Sequence, residues 1–170
     1  MARATHTGGG AAERKPRPLV VNGYHLLVWP AFAERWRHLK AEVERLRDRD
    51  PDGYKKAPAA KLLAAVRDAT LREIPKDPGA PRYRQGKTLG SDYRHWRREK
   101  FFRRFRLFFR YSTDPSLIAY VWLNDESTLR KSGARTDTYT VFRTMLERGR
   151  APTDWNDLVR ECRMWTDADV

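Results

Sequence analysis

Residues 97–111 read RREKFFRRFRLFFRY, with seven basic side chains, six aromatic ones and one acid in fifteen positions. A segment this apolar needs burial on one side, and a segment this charged needs water or an anion on the other. A β-strand separates the two, because successive side chains point to opposite faces. From Arg104 to Tyr111 the alternation places Phe105, Leu107, Phe109 and Tyr111 on one face, and Arg104, Arg106 and Arg110 with Phe108 on the other. The preceding residues divide more weakly: Arg94, Trp96, Arg98 and Lys100 share one face, and Tyr93, His95, Arg97 and Glu99 share the opposite one. If two neighbouring strands align their polar faces, Arg98, Lys100, Arg104, Arg106 and Arg110 form one concave cationic surface, with the core behind it. Solvated arginines, or bases that guard a sheet edge against pairing, give the same pattern without a function.

The charge is global as well as focused: the chain carries +13, of which residues 97–111 contribute +6. Such an excess favours a polyanion, since neutralised phosphates release their counterions whatever the sequence bound. Nucleic acid or an acidic protein is the expected partner class. At 170 residues and 40% hydrophobic content, one compact domain with its own core is expected. Cys162 is the single cysteine, which excludes an intrachain disulfide, a thiolate metal cluster and a CxxC pair. No apolar run approaches the roughly 20 residues that span a bilayer, and the first residues show no apolar core of a signal peptide. A soluble, cytoplasmic protein is expected.

Residues 1–18, with a Gly triplet, two prolines and few large apolar groups, predict a disordered basic tail. Leu19 to Trp29, LVVNGYHLLVW, predicts an edge strand that stops at Pro30. Phe32, Trp36, Leu39, Val43 and Leu46 trace one helical stripe as far as the Asp50-Pro51-Asp52-Gly53 turn. A second helix starts near Pro58, shows Leu62, Leu63, Val66, Thr70 and Ile74, and stops at Pro75, so the two form a helical hairpin. Four strands follow in an antiparallel meander: Tyr83 to Leu89, Tyr93 to Phe101, Arg104 to Tyr111, and Leu117 to Leu123. A polar loop then leads to Thr136 or Asp137 as N-cap of a helix with Tyr139, Phe142, Met145 and Leu146 inward, ending at Gly149. A short helix from Thr153 or Asp154 carries Trp155, Leu158, Val159 and Cys162, and residues 166–170 are expected to fray. The fold class is α+β in a single domain over 19–165.

Four motifs in order, AAKLLAAV (Ala59–Val66), FRLFFRYS (Phe105–Ser112), WLNDESTLR (Trp122–Arg130) and DTYTVFRTMLERG (Asp137–Gly149), closely resemble the YhaV family of bacterial toxins, over roughly Val20 to Trp155. That family is related to the RelE superfamily. The resemblance implies a RelE-like fold, with an N-terminal helical hairpin packed on an antiparallel sheet and helices at the C-terminus. It also implies the toxin of a type II toxin–antitoxin system, an endoribonuclease that cleaves mRNA without metal or cofactor at the ribosome, free RNA being the other possibility. Attack by the ribose 2′-OH would leave a 2′,3′-cyclic phosphate or its 3′-phosphate product. The implied partner is an acidic antitoxin resembling PrlF, an AbrB-type swapped-hairpin DNA-binding dimer.

That chemistry needs a base for the 2′-OH, cations on the crowded phosphorane and an acid for the 5′ oxygen. Among clustered cations a lysine is easier to deprotonate than an isolated one, whereas arginine stays a charged donor. Carried over by resemblance, Arg106 is a phosphate stabiliser, Arg98 and Lys100 are the paired bases of the preceding strand with Lys100 the candidate base, and Arg130 supports the leaving group. Tyr139 matches a tyrosine that stacks on or positions the scissile nucleotide, a core tyrosine being the other reading. One of the family's paired lysines is arginine here, and Arg130 lies further from Tyr139 than in the short RelE version.

Substrate-binding candidates are Arg104, Arg110, Tyr139 and Lys87. Lys87 sits in QGKTLG, which lacks both GxxxxGK[ST] and a following helix, so a nucleotide P-loop is not expected. His95 is a candidate acid or a structural imidazole, Asp125 and Glu126 orient Arg130 or Lys100 or merely close a turn, and Phe101, Phe102 and Phe108 stack bases or pack the core. The competing functions are a non-catalytic RNA- or ribosome-binding protein using the same basic sheet, and a degenerate toxin that only binds an antitoxin.

Overall fold

In the computed structural model, which describes residues 12–170, the segment expected to form one strand over 19–29 folds back on itself. Asn22 and Gly23 take φ values of 49° and 82°, the left-handed pair that a two-residue hairpin turn requires and that Asn-Gly adopts at least cost. The turn joins β1 (Val20–Val21) to β2 (Tyr24–Val28) in an antiparallel pair. Nor is β2 an edge. It runs parallel to β5 (Ser116–Leu123), from His25 opposite Leu117 to Val28 opposite Tyr120, and its other side takes β1 and then β6 (Arg163–Met164). With β3 (Arg97–Phe101) and β4 (Phe105–Thr113) the order is β1-β2-β5-β4-β3. β3, β4 and β5 pair antiparallel as expected, but the parallel β2–β5 pair makes the sheet mixed, which corrects the antiparallel sheet expected from sequence. Short-range patterning cannot reveal this pairing, because the partners are separated by the helices and by two other strands.

Helix α1 (Pro30–Arg49) buries Phe32, Trp36, Leu39 and Val43, the stripe read from the sequence, and the Asp50 carboxylate after it accepts the Gly53 N–H at 2.9 Å. Helix α2 (Pro58–Asp68) buries Leu62 and Val66. It then widens into a π-helical turn over Ala69–Glu73 and the single turn α3 (Ile74–Lys76), so Pro75 lies within the helical path, not beyond it. The wider turn leaves the Thr70 carbonyl free to accept the buried Tyr120 hydroxyl at 2.6 Å. α2 returns along α1, with the Arg67 guanidinium 5.7 Å over the Trp36 ring. Both helices cover Leu107, Phe109, Ile118 and Tyr120, and Trp165 completes that core.

The opposite face is core too, which corrects the picture of one apolar and one cationic face. Helices α4 (Thr138–Glu147) and α5 (Trp155–Glu161) bury Tyr139, Phe142, Leu146 and Leu158 against Trp96, Phe108 and Val121. Each starts where the sequence places it, on an aspartate cap: Asp137 accepts the Tyr139 N–H and Asp154 the Asp157 N–H.

Residues 83–89 do not form a strand, and the next one is shorter than expected. The buried Gln85 side chain donates to the Tyr93 carbonyl at 2.7 Å and accepts the Leu89 N–H at 3.1 Å, curling the chain into turns that leave only Arg84 bridged to Arg97. The last residues do not fray: the Asp169 carbonyl accepts from Trp36 Nε1 at 2.7 Å and Lys40 Nζ at 2.9 Å, and Val170 packs on the core. The expected tail lies outside the described residues as far as residue 11. Residues 12–18 are exposed, and Arg17 exchanges hydrogen bonds with Asp167. Among the described residues no helix is long and apolar enough to cross a membrane.

Candidate active site

β3 and β4 pair in a register that sets Lys100 opposite Arg106 and Arg98 opposite Phe108, so Arg98, Lys100 and Arg106 do share a face. A register shift at Phe108/Phe109 turns both Val121 and Trp122 toward α4. Phe142 of α4 stacks on Phe108 with centroids 4.2 Å apart, and on Trp122 at 5.7 Å and 5°. Tyr139 lies three residues earlier on the same helical face. Its ring meets Phe108 edge-on at 5.6 Å, and its hydroxyl accepts Arg98 Nε at 3.0 Å and Arg106 Nε at 3.1 Å.

A third arginine arrives from the loop after β5. Asn124, fully buried, accepts the Arg106 N–H at 2.7 Å and donates to the carbonyls of Arg104 at 3.1 Å and Thr128 at 2.9 Å. It thereby staples the loop to the start of β4, and the Arg130 N–H continues the staple to the Arg104 carbonyl at 2.9 Å. The Arg130 guanidinium then lies 4.9 Å from the centre of the Tyr139 ring, and that of Arg106 lies 5.8 Å from it. Asp137 orients Arg130, accepting its Nη1 at 2.7 Å together with the Lys131 N–H at 2.6 Å. Burial pushes the Asp137 carboxyl pKa up, but the bonds from Arg130, Lys131 and Tyr139 outweigh it and hold the group below its ordinary value.

Each guanidinium is tied through part of its donor set. Arg106, 6% exposed, donates Nη1 to the carbonyls of Arg103 and Phe105, both at 2.8 Å, and Arg98 donates Nη1 to that of Arg82 at 2.8 Å. The Nη2 atoms of both have no protein partner among the described residues. Lys100 is exposed beside them. The result is three preoriented guanidiniums and one exposed ammonium with the Asp137 carboxylate at their back: a surface suited to an anion.

Other expected residues lie elsewhere. Arg110 shares the face, but its guanidinium sits between Trp96 at 5.5 Å and Trp155 at 5.3 Å and donates to the Thr153 carbonyl at 2.6 Å, so it fastens α5. Arg104 is exposed in the β3–β4 turn, and Lys87 is exposed in the loop closed by Gln85, without a bond to the cluster. His95 belongs to the far end, where burial, then Arg110 and Arg97, lower its pKa and favour the neutral ring. Asp125 accepts from Ser127 at the start of a turn and Glu126 lies 3.9 Å from Arg35, so neither orients Arg130 or Lys100. Phe101 and Phe108 are core, while Phe102 is 56% exposed at a turn where it and Arg103 take φ values of 44° and 66°. Sequence reasoning missed Asn124 and the second task of Asp137. The one available signal was an amide and a carboxylate flanking Arg130 within the WLNDESTLR and DTYTVFRTMLERG motifs. Among the described residues, no group of three or more His, Cys, Asp or Glu could hold a metal ion.

An α+β scaffold that gathers arginines from two strands and a loop around one tyrosine defines an anion-handling protein, and comparison with known proteins narrows the class. Residues 26–163 match the family Toxin_YhaV, described as a toxin with endonuclease activity, of toxin-antitoxin system. The chain is 47% identical over 146 residues to the ribonuclease toxin YhaV of Escherichia coli strain K12, covering 85% of this chain and 95% of that one. Toxin YhaV of Escherichia coli O157:H7 is similar to the same extent, as is that of Escherichia coli O6:H1 strain CFT073. No solved structure matches. The chain belongs to the YhaV family of endonuclease toxins of toxin–antitoxin systems.

Proposed function

We propose that this chain is a metal-independent endoribonuclease that cleaves mRNA at the ribosome by 2′-OH attack, and that the Tyr139-centred cluster is its active centre. The observation that carries the reading is the convergence of Arg98, Arg106 and Arg130 on Tyr139, with Lys100 directly across from Arg106.

Lys100, the one amine beside three guanidiniums that serve as charged donors, takes the 2′-OH proton. Arg106 and Arg98 offer their unpartnered Nη2 atoms to the non-bridging oxygens as charge builds on the phosphorane. Arg130, oriented by Asp137, sits on the leaving-group side. Tyr139, 5% exposed with its hydroxyl committed to two arginines, positions those arginines and does not stack on a base. Because the guanidiniums are already fixed by carbonyls and by Tyr139, little reorganisation is needed as charge develops.

The order of two helices followed by three antiparallel strands supports the RelE-like reading. The net charge of +13 supports an acidic antitoxin of the PrlF type as the partner. The test is inducible expression of wild type, Lys100→Ala and Arg106→Ala in a bacterium, with the 5′ ends of cellular RNA mapped with and without a drug that strips ribosomes from mRNA. Growth arrest and new ends in wild type alone, lost when ribosomes are stripped, are expected. RNA bound by all three proteins with no new ends would leave only a docking surface.

A further inference from the structure

The seam between α1 and α2 opens to solvent as a groove of about 470 Å³. These helices cover the Leu107 and Phe109 face, so the sheet separates the groove from Tyr139, which lies in the opposite core. Its floor is aliphatic: Val43 and Ala60, nearly buried, with the more open Leu63 and Ala64. Its rim carries Lys40, Arg47, Lys55, Lys61 and Arg67 against one acid, Glu44.

The two walls share one pattern. Lys40, Val43, Glu44 and Arg47 fall at i, i+3, i+4 and i+7 on α1, as do Ala60, Leu63, Ala64 and Arg67 on α2. At 1.5 Å per residue each stripe runs about 10 Å, two turns of helix. Lys40 donates to the Asp169 carbonyl and Arg67 leans over Trp36. Arg47, Lys55 and Lys61 have no carboxylate partner among the described residues. A merely solvated helix face interleaves both signs; five bases to one acid around an aliphatic floor is the mould of the opposite pattern.

We propose that this groove docks an acidic amphipathic helix of the antitoxin, two to three turns long, with its apolar stripe on Leu63 and Ala64 and its carboxylates on Arg47, Lys55 and Lys61. The inference rests on the toxin reading only for the identity of the partner. RNA is the other polyanion at hand, but single strands are held on aromatic platforms, and here only Tyr54, at one end, offers a ring. Docking on this side leaves the arginine cluster open, so the helix anchors the antitoxin and does not itself plug the site.

The probe is a synthetic helical peptide of about 14 residues, leucines at i, i+3, i+4 and i+7 and glutamates flanking them, with a leucine-to-serine version of equal charge as control. Binding to the full chain is read by fluorescence anisotropy, beside binding of a single-stranded RNA and cleavage of a ribosome-bound mRNA. The leucine peptide is expected to bind wild type, the serine version at least about tenfold more weakly, and the leucine peptide about thirtyfold more weakly to R47E/K55E/K61E, whose RNA cleavage stays at the wild-type rate. Leu63→Glu should weaken the peptide alone in the same way. No binding of the leucine peptide, equal binding of both peptides, or loss of RNA binding in the triple variant overturns the proposal. Peptide binding by a wild-type chain that cleaves no ribosome-bound mRNA would sustain the groove and refute the ribonuclease reading.

Discussion

Arg106 and Arg110 stand on the same face of β4, four residues and therefore about 13 Å apart, and they meet opposite fates. Arg110 is sandwiched between two indoles and bonded to Thr153, with α5 packed over it. Arg106 is more deeply buried by area, yet its ties run to Tyr139 and to its own turn, and one nitrogen remains unspent beside the exposed Lys100. The difference comes from what lies above each: Trp96 and Trp155 close one end of the strand pair, whereas Tyr139, one turn before the stacked Phe142, leaves the other end open to an anion. Burial alone therefore does not separate a structural arginine from a functional one. What matters is whether a donor nitrogen is left free.

The contrast is broken most severely at Lys100. Lys100→Ala should lower the cleavage rate about thousandfold, the scale of losing a general base, with an unchanged melting temperature because the side chain is exposed; a loss of tenfold or less in single-turnover assays would remove it from the reaction. Arg106→Lys keeps the charge but not the fork, and a rate loss of about a hundredfold is expected, larger in kcat than in KM. At the closed end the order inverts. Arg110→Met should cost about 2 kcal/mol in urea unfolding, from its charged hydrogen bond and ring contacts, while cleavage by the folded fraction stays within about threefold of wild type; a hundredfold loss there would erase the distinction between the two ends.

Asp137 gives an effect no larger than that of Arg110, and adds a pH signature. Its carboxyl pKa is lower folded than unfolded, so the folded state binds fewer protons, and the stabilisation is present above the ordinary carboxylate pKa and lost as pH falls through the folded value. Asp137→Asn should cost about 2 kcal/mol near neutrality, and the gap to wild type should close in acid. Urea midpoints of both proteins at neutral and strongly acid pH check this; a gap that widens in acid would contradict it.

The apolar period of α1 was readable because Phe32, Trp36, Leu39 and Val43 all face one core. The strand at 105–113 was readable for the same reason, and both aspartate caps announced their helices. The segment at 83–89 failed because one side chain, Gln85, satisfies backbone groups that a strand would have paired. The pairing of β2 with β5 depends on contacts across some ninety residues of sequence. In the site, alternation placed Arg98, Lys100 and Arg106 together but could not tell Arg106 from Arg110, since both are arginines of one face. The partners that decide between them, Tyr139, Trp96 and Trp155, come from elsewhere in the chain.

The most direct test of the arginine cluster as a ribonuclease centre is cleavage of a ribosome-bound mRNA at a mapped site, compared with the same mRNA carrying one 2′-deoxyribose 5′ to the scissile phosphate. The account predicts cleavage of the first, leaving a 2′,3′-cyclic phosphate, and none of the second at that bond. Cleavage of the deoxy-substituted mRNA at that bond would contradict it.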